Sequence, residues 1–263
     1  MNIVNALYHV NGVNIPVAFE PVVKDHLYSE LKTRKVKRRS EVTKNEQLRS
    51  ILKVCHQNEL KYRYVLTDSW FASSENMLVI KQDLKKDFIM ALKANRTVAL
   101  STEDRAQGRF IRIDELALEP GTVKQVYLKG VEFPVRVAKQ LFKHKDKNDG
   151  ILYLVSSDLS LDYDTLTTTY QKRWEVEVFH KSIKQNTGLA KSPTRRVRTQ
   201  SNHFFASIYA YFKLEQLKLK HQINHFALRS KLYMKALLAS FQQLQALTGQ
   251  VAQVPPATKA ATA

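Results

Sequence analysis

Hydrophobic and polar positions alternate along the first residues of the chain. NIVNALYHV (2–10) and VNIPVAFEP (13–21) predict two strands around Asn11-Gly12, a dipeptide that favours a tight hairpin turn. Pro16 cannot donate to a ladder, so its strand is expected at an edge or at a bulge. From Thr43 to Leu60 the spacing changes to the helical period. Leu48, Ile51, Leu52, Cys55 and Leu60 form its apolar side, and Thr43 or Asn45 is the cap. Tyr62 to Leu66 is a short strand with Asp68 just past its end. Ser73 or Ser74 caps a helix through Lys85, and DFIMAL (87–92) is a second apolar strand. Together these form a βαβ unit, and in open sheets sites gather at the carboxyl ends of such strands.

From about Arg96 to Val155 the pattern becomes strand-like, with turns at Pro120-Gly121, Lys129-Gly130 and Asn148-Asp149-Gly150. A β-rich insertion between two α/β parts is expected. Asp162 or Asp164 caps one long helix that runs through Tyr170 and Lys184 and ends at Gly188. A basic loop, KSPTRRVRTQSNH, precedes an apolar helix from Phe204 to about Leu219, and residues 222–248 are a further helix. The tail VAQVPPATKAATA is expected to be disordered. The expected divisions are 1–95, 96–155, 156–220 and 221–263.

Charge narrows the class of partner. Lys and Arg number 42 against 24 Asp and Glu, a formal charge of +18. Such an excess attracts a polyanion, and nucleic acid is the first expectation. No long uncharged apolar span points to a membrane. Lys32, Arg34, Lys35, Lys37, Arg38 and Arg39 crowd one run, read either as a solvated loop or as phosphate contacts. The single cysteine, Cys55, excludes a disulfide framework or a Cys-rich zinc site within one chain, and it is expected in the core. The first residues show no secretory signal, so an intracellular, cytoplasmic protein is expected.

The candidate chemistry lies in TTTYQKRWEVEVFHKSIKQ. On a continuous helix, Arg173, Glu177 and Lys184 fall roughly −60°, −20° and −40° from Tyr170, on one narrow stripe. A carboxylate ringed by cations and a phenol suits a phosphodiester: the acid holds a metal ion and the cations hold phosphates. Glu and Arg or Lys at this spacing also stabilise ordinary solvated helix faces. Lys181, close to the stripe, is read as a phosphate contact or a solvated side chain. Trp174 is read as packing rather than base stacking, and His180 is assigned no chemistry. Arg195, Arg196 and Arg198 are candidate DNA contacts.

YVLTDSWFASSENM and YQKRWEVEVFHKSIKQ together resemble the catalytic core of DDE transposases, most closely the bacterial insertion-sequence group named for its Tyr-Arg-Glu-Lys signature. The resemblance runs from Asn2 to about Leu219. It implies an α/β chain with an RNase H-like mixed sheet, a β-rich insertion and C-terminal helices. It implies Asp68 and Glu177 as the second and third acids, catalytic and metal-binding, with Tyr170, Arg173 and Lys184 on the phosphates of the transposon end. It also implies two Mg²⁺ ions, for which Mn²⁺ can substitute, and DNA cleavage and strand transfer through in-line phosphoryl transfer. The implied partners are transposon-end and target DNA, in a dimer on DNA that is nucleoid-associated when bound.

The family's first acid lies on a first strand ahead of the hairpin, and this sequence has no counterpart. Glu20, Asp25, Glu30, Glu41, Glu46 and Glu59 are poor substitutes. The sheet is therefore expected to lack its first strand and to leave two strand edges facing a gap. The chain is expected to be an N-terminally truncated transposase, active when a preceding N-terminal part or the full-length transposase completes it. The alternative expectation is an inactive, DNA-binding remnant that interferes with the complete enzyme.

Overall fold

Asn11 and Gly12 both adopt positive φ, 48° and 76°, as a tight hairpin turn of the primed type requires. They join β1 (Asn2–Val10) to β2 (Val13–Val22) in an antiparallel pair. The register slips between Ala6 and Leu7, where Leu7 faces Pro16 and Ala6 faces Ala18. Val17 is the extra residue of a bulge beside the proline, which supplies no N–H to the ladder. The computed structural model describes residues 2–31, 33–142, 150–192, 194 and 196–251.

Part of the basic run, for which a solvated loop and phosphate contacts are the two expectations, is a strand. β3 (His26–Ser29) pairs with β4 (Val36–Arg39), and both strands are exposed. Lys32 lies outside the described residues. α1 (Lys44–Gln57) starts in a capping box, with Thr43 Oγ1 accepting from the Glu46 N–H at 3.2 Å and Glu46 Oε2 from the Thr43 N–H at 2.6 Å. It buries Leu48, Ile51, Leu52 and Cys55. Leu60, expected on the same helix, lies beyond its end. Glu59 turns left-handed at φ 54°, and the Leu60 N–H donates back to the Cys55 carbonyl at 3.0 Å.

β5 (Tyr64–Thr67) and β6 (Asp87–Leu92) are parallel. Between them α2 (Ser74–Leu78), capped by Ser73, continues as a π-helical turn over Val79–Asp83. The sequence predicts one uniform helix here; its last turn is instead widened, with the Leu84 N–H reaching Val79 O at 3.0 Å. The chain continues as β7 (Thr97–Ala99), α3 (Thr102–Ala106), β8 (Ile111–Arg112), β9 (Val123–Leu128), β10 (Val135–Phe142) and β11 (Gly150–Ser156). The β-rich stretch joins the βαβ unit through β11, giving a mixed seven-stranded sheet in the order β5-β6-β11-β10-β9-β7-β8. The expected Asn148-Asp149 turn lies outside the described residues.

Strands buried on both faces read as continuous apolar runs. On β6, Phe88 and Met90 share a core with Leu48, Leu52, Met77 and Ile80. Ile89 and Ala91, on the other face, share one with Leu154, Leu166 and Tyr170.

The single helix expected from Asp162 to Gly188 is two. α4 (Tyr163–Gln171) is capped by Asp162, and a 3₁₀ turn at Lys172–Trp174 separates it from α5 (Glu175–Asn186). Gly188 follows at φ 73°, as the stop signal predicts. The apolar helix begins earlier than its apolar residues indicate. α6 covers Val197–His221, so Arg198 to His203 are helical rather than loop. α7 is His225–Val251, and the rest of the tail, 252–263, lies outside the described residues. Among the described residues no helix is long and apolar enough to cross a membrane.

The chain divides into two units. One holds the residues up to Phe179 with Thr194–Ser201, and the other holds residues 180–192 and those from Asn202 onward. The second unit has a buried polar centre. Ser182 Oγ and His225 Nδ1 are 2.8 Å apart, and Glu215 accepts from the Tyr211 hydroxyl at 2.9 Å and Lys218 at 3.1 Å. His225 Nε2 lies 3.5 Å from Glu215 and makes no hydrogen bond. Burial pushes the His225 pKa below the usual 6.5 despite Glu215. The unfolded chain therefore takes up this proton first. Stability is expected to be full above about pH 6.5 and to fall as pH drops below it. Urea unfolding between pH 8 and pH 5 checks this, and a His225→Gln variant should flatten that part of the profile.

Candidate active site

β5 brings Asp68 to the surface. Val65 points into the core shared with Leu48 and Leu52, and Leu66 packs on the opposite face with Leu166 and Tyr170. The strand stops at Thr67, and Asp68 follows, exposed, at its carboxyl end. Asp68 Oδ1 accepts the Trp70 N–H at 2.9 Å, which fixes the carboxylate over a turn.

Tyr170 lies on the helical side of this point, and Arg173 and Glu177 follow it along the chain. The 3₁₀ turn lies between Tyr170 and Glu177, so a steady 100° per residue does not carry through. Tyr170 turns into the core and is 8% exposed. Its phenol is pushed up first by burial, then drawn down by the Arg173 guanidinium and raised by the charge of Asp68. Arg173 lies 5.8 Å from the centre of the Tyr170 ring. Its Nη1 is 3.7 Å from Glu177 Oε1. A chain of neighbours thus runs from Asp68 through Tyr170 and Arg173 to Glu177. The Arg173–Glu177 pair is long and open to solvent, worth about 0–1 kcal/mol. A phosphate can draw Arg173 away at little cost.

Lys181 and Lys184 are exposed on α5 and belong to the second unit. Lys184 follows Glu177 by two helical turns. Lys181 Nζ lies 5.7 Å from the centre of the Phe226 ring. Arg196 and Arg198 are exposed in the first unit, Arg196 just ahead of α6 and Arg198 in its first turn. Arg195 lies outside the described residues. Trp174, expected to pack, is 63% exposed, because the 3₁₀ turn rotates it out of the helix face.

Trp70 was not singled out by the sequence reading, although it stands in the same Leu-Thr-Asp-Ser-Trp-Phe run as Asp68. It is 62% exposed, with Lys44 and Lys93 at 5.5 and 6.0 Å from its ring. An exposed indole between cations beside a carboxylate is a surface on which a base can stack.

Asp68 and Glu177 supply oxygen donors of the kind that Mg²⁺ takes. Among the described residues, no group of three His, Cys, Asp or Glu stands together. The donors fit a hard divalent ion in kind, and two of them leave most of its coordination to water and to phosphate oxygens.

A second acidic centre lies at the other end of β5. Asp158 accepts from the Tyr64 hydroxyl at 2.7 Å, Arg63 at 3.0 Å and the Ser160 hydroxyl at 2.6 Å. Asp87 is tied to Ser157 at 2.7 Å and Lys81 at 2.6 Å. These bonds join the starts of β5 and β6 to the end of β11, away from Asp68, and their role is to hold the sheet.

A family model for the transposase DDE domain matches residues 33–213, well over half of the chain. The match spans Asp68, Tyr170, Arg173, Glu177 and Lys184. No curated protein matches the chain.

Proposed function

We propose, because the chain belongs to the transposase DDE-domain family, that it cuts DNA at the ends of an insertion sequence and joins those ends to target DNA. Domains of this family act on DNA and generally use divalent metal ions. We assign the chain to the group with the Tyr-Arg-Glu-Lys signature, on an RNase H-like fold. The succession of neighbours from Asp68 to Tyr170, Tyr170 to Arg173 and Arg173 to Glu177 supports this assignment, because it links two acids far apart in sequence through a phenol and an arginine.

In this reading Asp68 and Glu177 hold Mg²⁺, which when bound activates water or a 3′ hydroxyl and stabilises the leaving oxygen. Arg173, Lys181 and Lys184 contact phosphates of the DNA end, and Arg195, Arg196 and Arg198 are proposed as further DNA contacts. Tyr170, buried beneath Arg173, positions the guanidinium. Cutting and joining paired ends requires a dimer on DNA.

A second reading has the chain bind DNA ends without cutting them. The absence of a third acid beside Asp68 and Glu177 among the described residues favours it. The deciding experiment is Mg²⁺-dependent nicking of duplex DNA taken from either side of the chain's own coding sequence. Nicking by the wild type that Glu177→Ala abolishes supports the enzyme, whereas DNA binding with no nicking supports the second reading.

The phosphate contacts have their own signature. Arg173→Ala and Lys184→Ala should each weaken binding on every DNA sequence and lower the slope of log K against log salt by about 1. Binding titrations at several salt concentrations check this, and an unchanged slope would remove that residue from the phosphate contacts.

A further inference from the structure

Past the end of β6 the chain turns, and the Arg96 N–H returns to the Lys93 carbonyl at 3.1 Å. The turn leaves Lys93 exposed and Arg96 half-buried. Arg96 Nη2 donates to the Ser74 hydroxyl at 3.2 Å, a neutral partner. Burial draws the Arg96 pKa below the usual arginine value. Among the described residues, no carboxylate pairs with Lys44, Lys93 or Arg96. An arginine keeps its charge even where hydration is reduced, and such charges are normally paired. A guanidinium in this setting favours an added anion, and its planar fork suits a phosphate.

Trp70 stands at the same place. It shares a cleft of about 190 Å³ with Ser69, Ser73, Lys93 and Arg96. Its N–H is held by Asp68 Oδ1 at 2.9 Å, which sets the cleft beside that acid. The indole is mostly exposed, and the ammonium groups of Lys44 and Lys93 lie near its ring. At an exposed ring such cations are weakly held, so they can swing toward a phosphate. An aromatic face with cations at its rim fits a nucleotide, the ring taking the base and the cations its phosphate. In a duplex, both faces of a base are covered by its neighbours. Only a base outside that stack can lie on the indole.

We infer that the cleft between Trp70 and Arg96 binds one unpaired nucleotide of DNA, its base on the Trp70 indole and its phosphate at Arg96 and Lys93. The inference rests on the proposed action on DNA and deepens it. The DNA end beside Asp68 is held with one nucleotide outside the duplex, next to the phosphate that is cut.

The chain has two tryptophans, so Trp174→Phe leaves Trp70 as its sole indole. Trp70 fluorescence is followed, without metal, as a single-stranded thymidylate of about four nucleotides is added. Quenching by stacked thymine is expected. An abasic oligomer of the same length, with the same phosphates, should leave the fluorescence unchanged. Trp70→Ala should weaken binding of the labelled thymidylate about tenfold, read by anisotropy, and weaken duplex binding less. Arg96→Gln should lower the slope of log K against log salt on the thymidylate by about 0.7, and Arg96→Lys should restore it. Three results would each overturn the inference. One is equal quenching by the abasic oligomer. Another is thymidylate affinity unchanged in Trp70→Ala. The third is quenching by duplex as strong as by the single strand. Nicking of duplex without any quenching of Trp70 would remove this subsite alone and leave the proposed function standing. Binding to neither single strand nor duplex at low salt would remove both.

Discussion

Asp158→Ala should destabilise the protein by about 2–4 kcal/mol, measured by urea unfolding at pH 7. Asp158 is 8% exposed and accepts hydrogen bonds from the Ser160 N–H and hydroxyl, the Tyr64 hydroxyl and Arg63. Burial opposes its ionisation. The bonds from Ser160, Tyr64 and Arg63 together outweigh that burial and hold the carboxyl well below the ordinary carboxylate range. Alanine leaves the partly buried donors unpaired, and that penalty dominates the loss. Arg63 contributes little, because its side chain is 69% exposed and water screens the pair. Asp158→Asn keeps an acceptor and should lose less. The pH dependence has a definite sign. The folded pKa is depressed, so this stability is present above the unfolded pKa of about 3.9 and is lost as pH falls below it. The Tyr64 phenol, pushed up to about 12 by burial and by Asp158, should stay protonated well past the range of a free tyrosine. An Asp158→Ala protein within about 0.5 kcal/mol of wild type would show that these bonds hold nothing together.

Much of the sheet was legible because local signals agreed with the tertiary fold. Asn11-Gly12, the Thr43 to Glu46 capping box and the apolar run of 87–92 each have one good structural outcome. Asp68 was placed at a strand end for the same reason. The break between α4 and α5 was not legible, since neither glycine nor proline marks it. Past that break Trp174 is exposed, while Tyr170 and Arg173, three apart, and Arg173 and Glu177, four apart, still meet as a uniform helix predicts. β4 was hidden because charge, not alternation, dominates VKRR. The start of α6 was hidden because its first turns are polar. The Asp158 centre joins residues 94 and 95 positions apart, a pairing that periodicity cannot report. β1 and β5 line one cavity, a juxtaposition that no local pattern reports.

Glu177→Gln should abolish Mg²⁺-dependent nicking while leaving DNA binding equal to wild type or tighter. The two effects have separate origins. Glutamine keeps the shape and the helix but offers a metal only a neutral carbonyl oxygen. Losing one group that acts on the transition state costs on the order of a hundred- to a thousandfold in rate. Binding moves the other way. Glu177 is an anion 3.7 Å from Arg173 on a chain of net charge +18. Removing it frees the guanidinium for phosphate and deletes a repulsion, so affinity at low salt should rise. Asp68→Asn should match it in nicking, with a smaller change in binding, because Asp68 holds a backbone N–H rather than an arginine. Single-turnover nicking beside binding titrations separates these quantities. Equal loss of nicking and binding in Glu177→Gln would mean that the residue supports the fold. Undiminished nicking would take Glu177 out of the chemistry altogether.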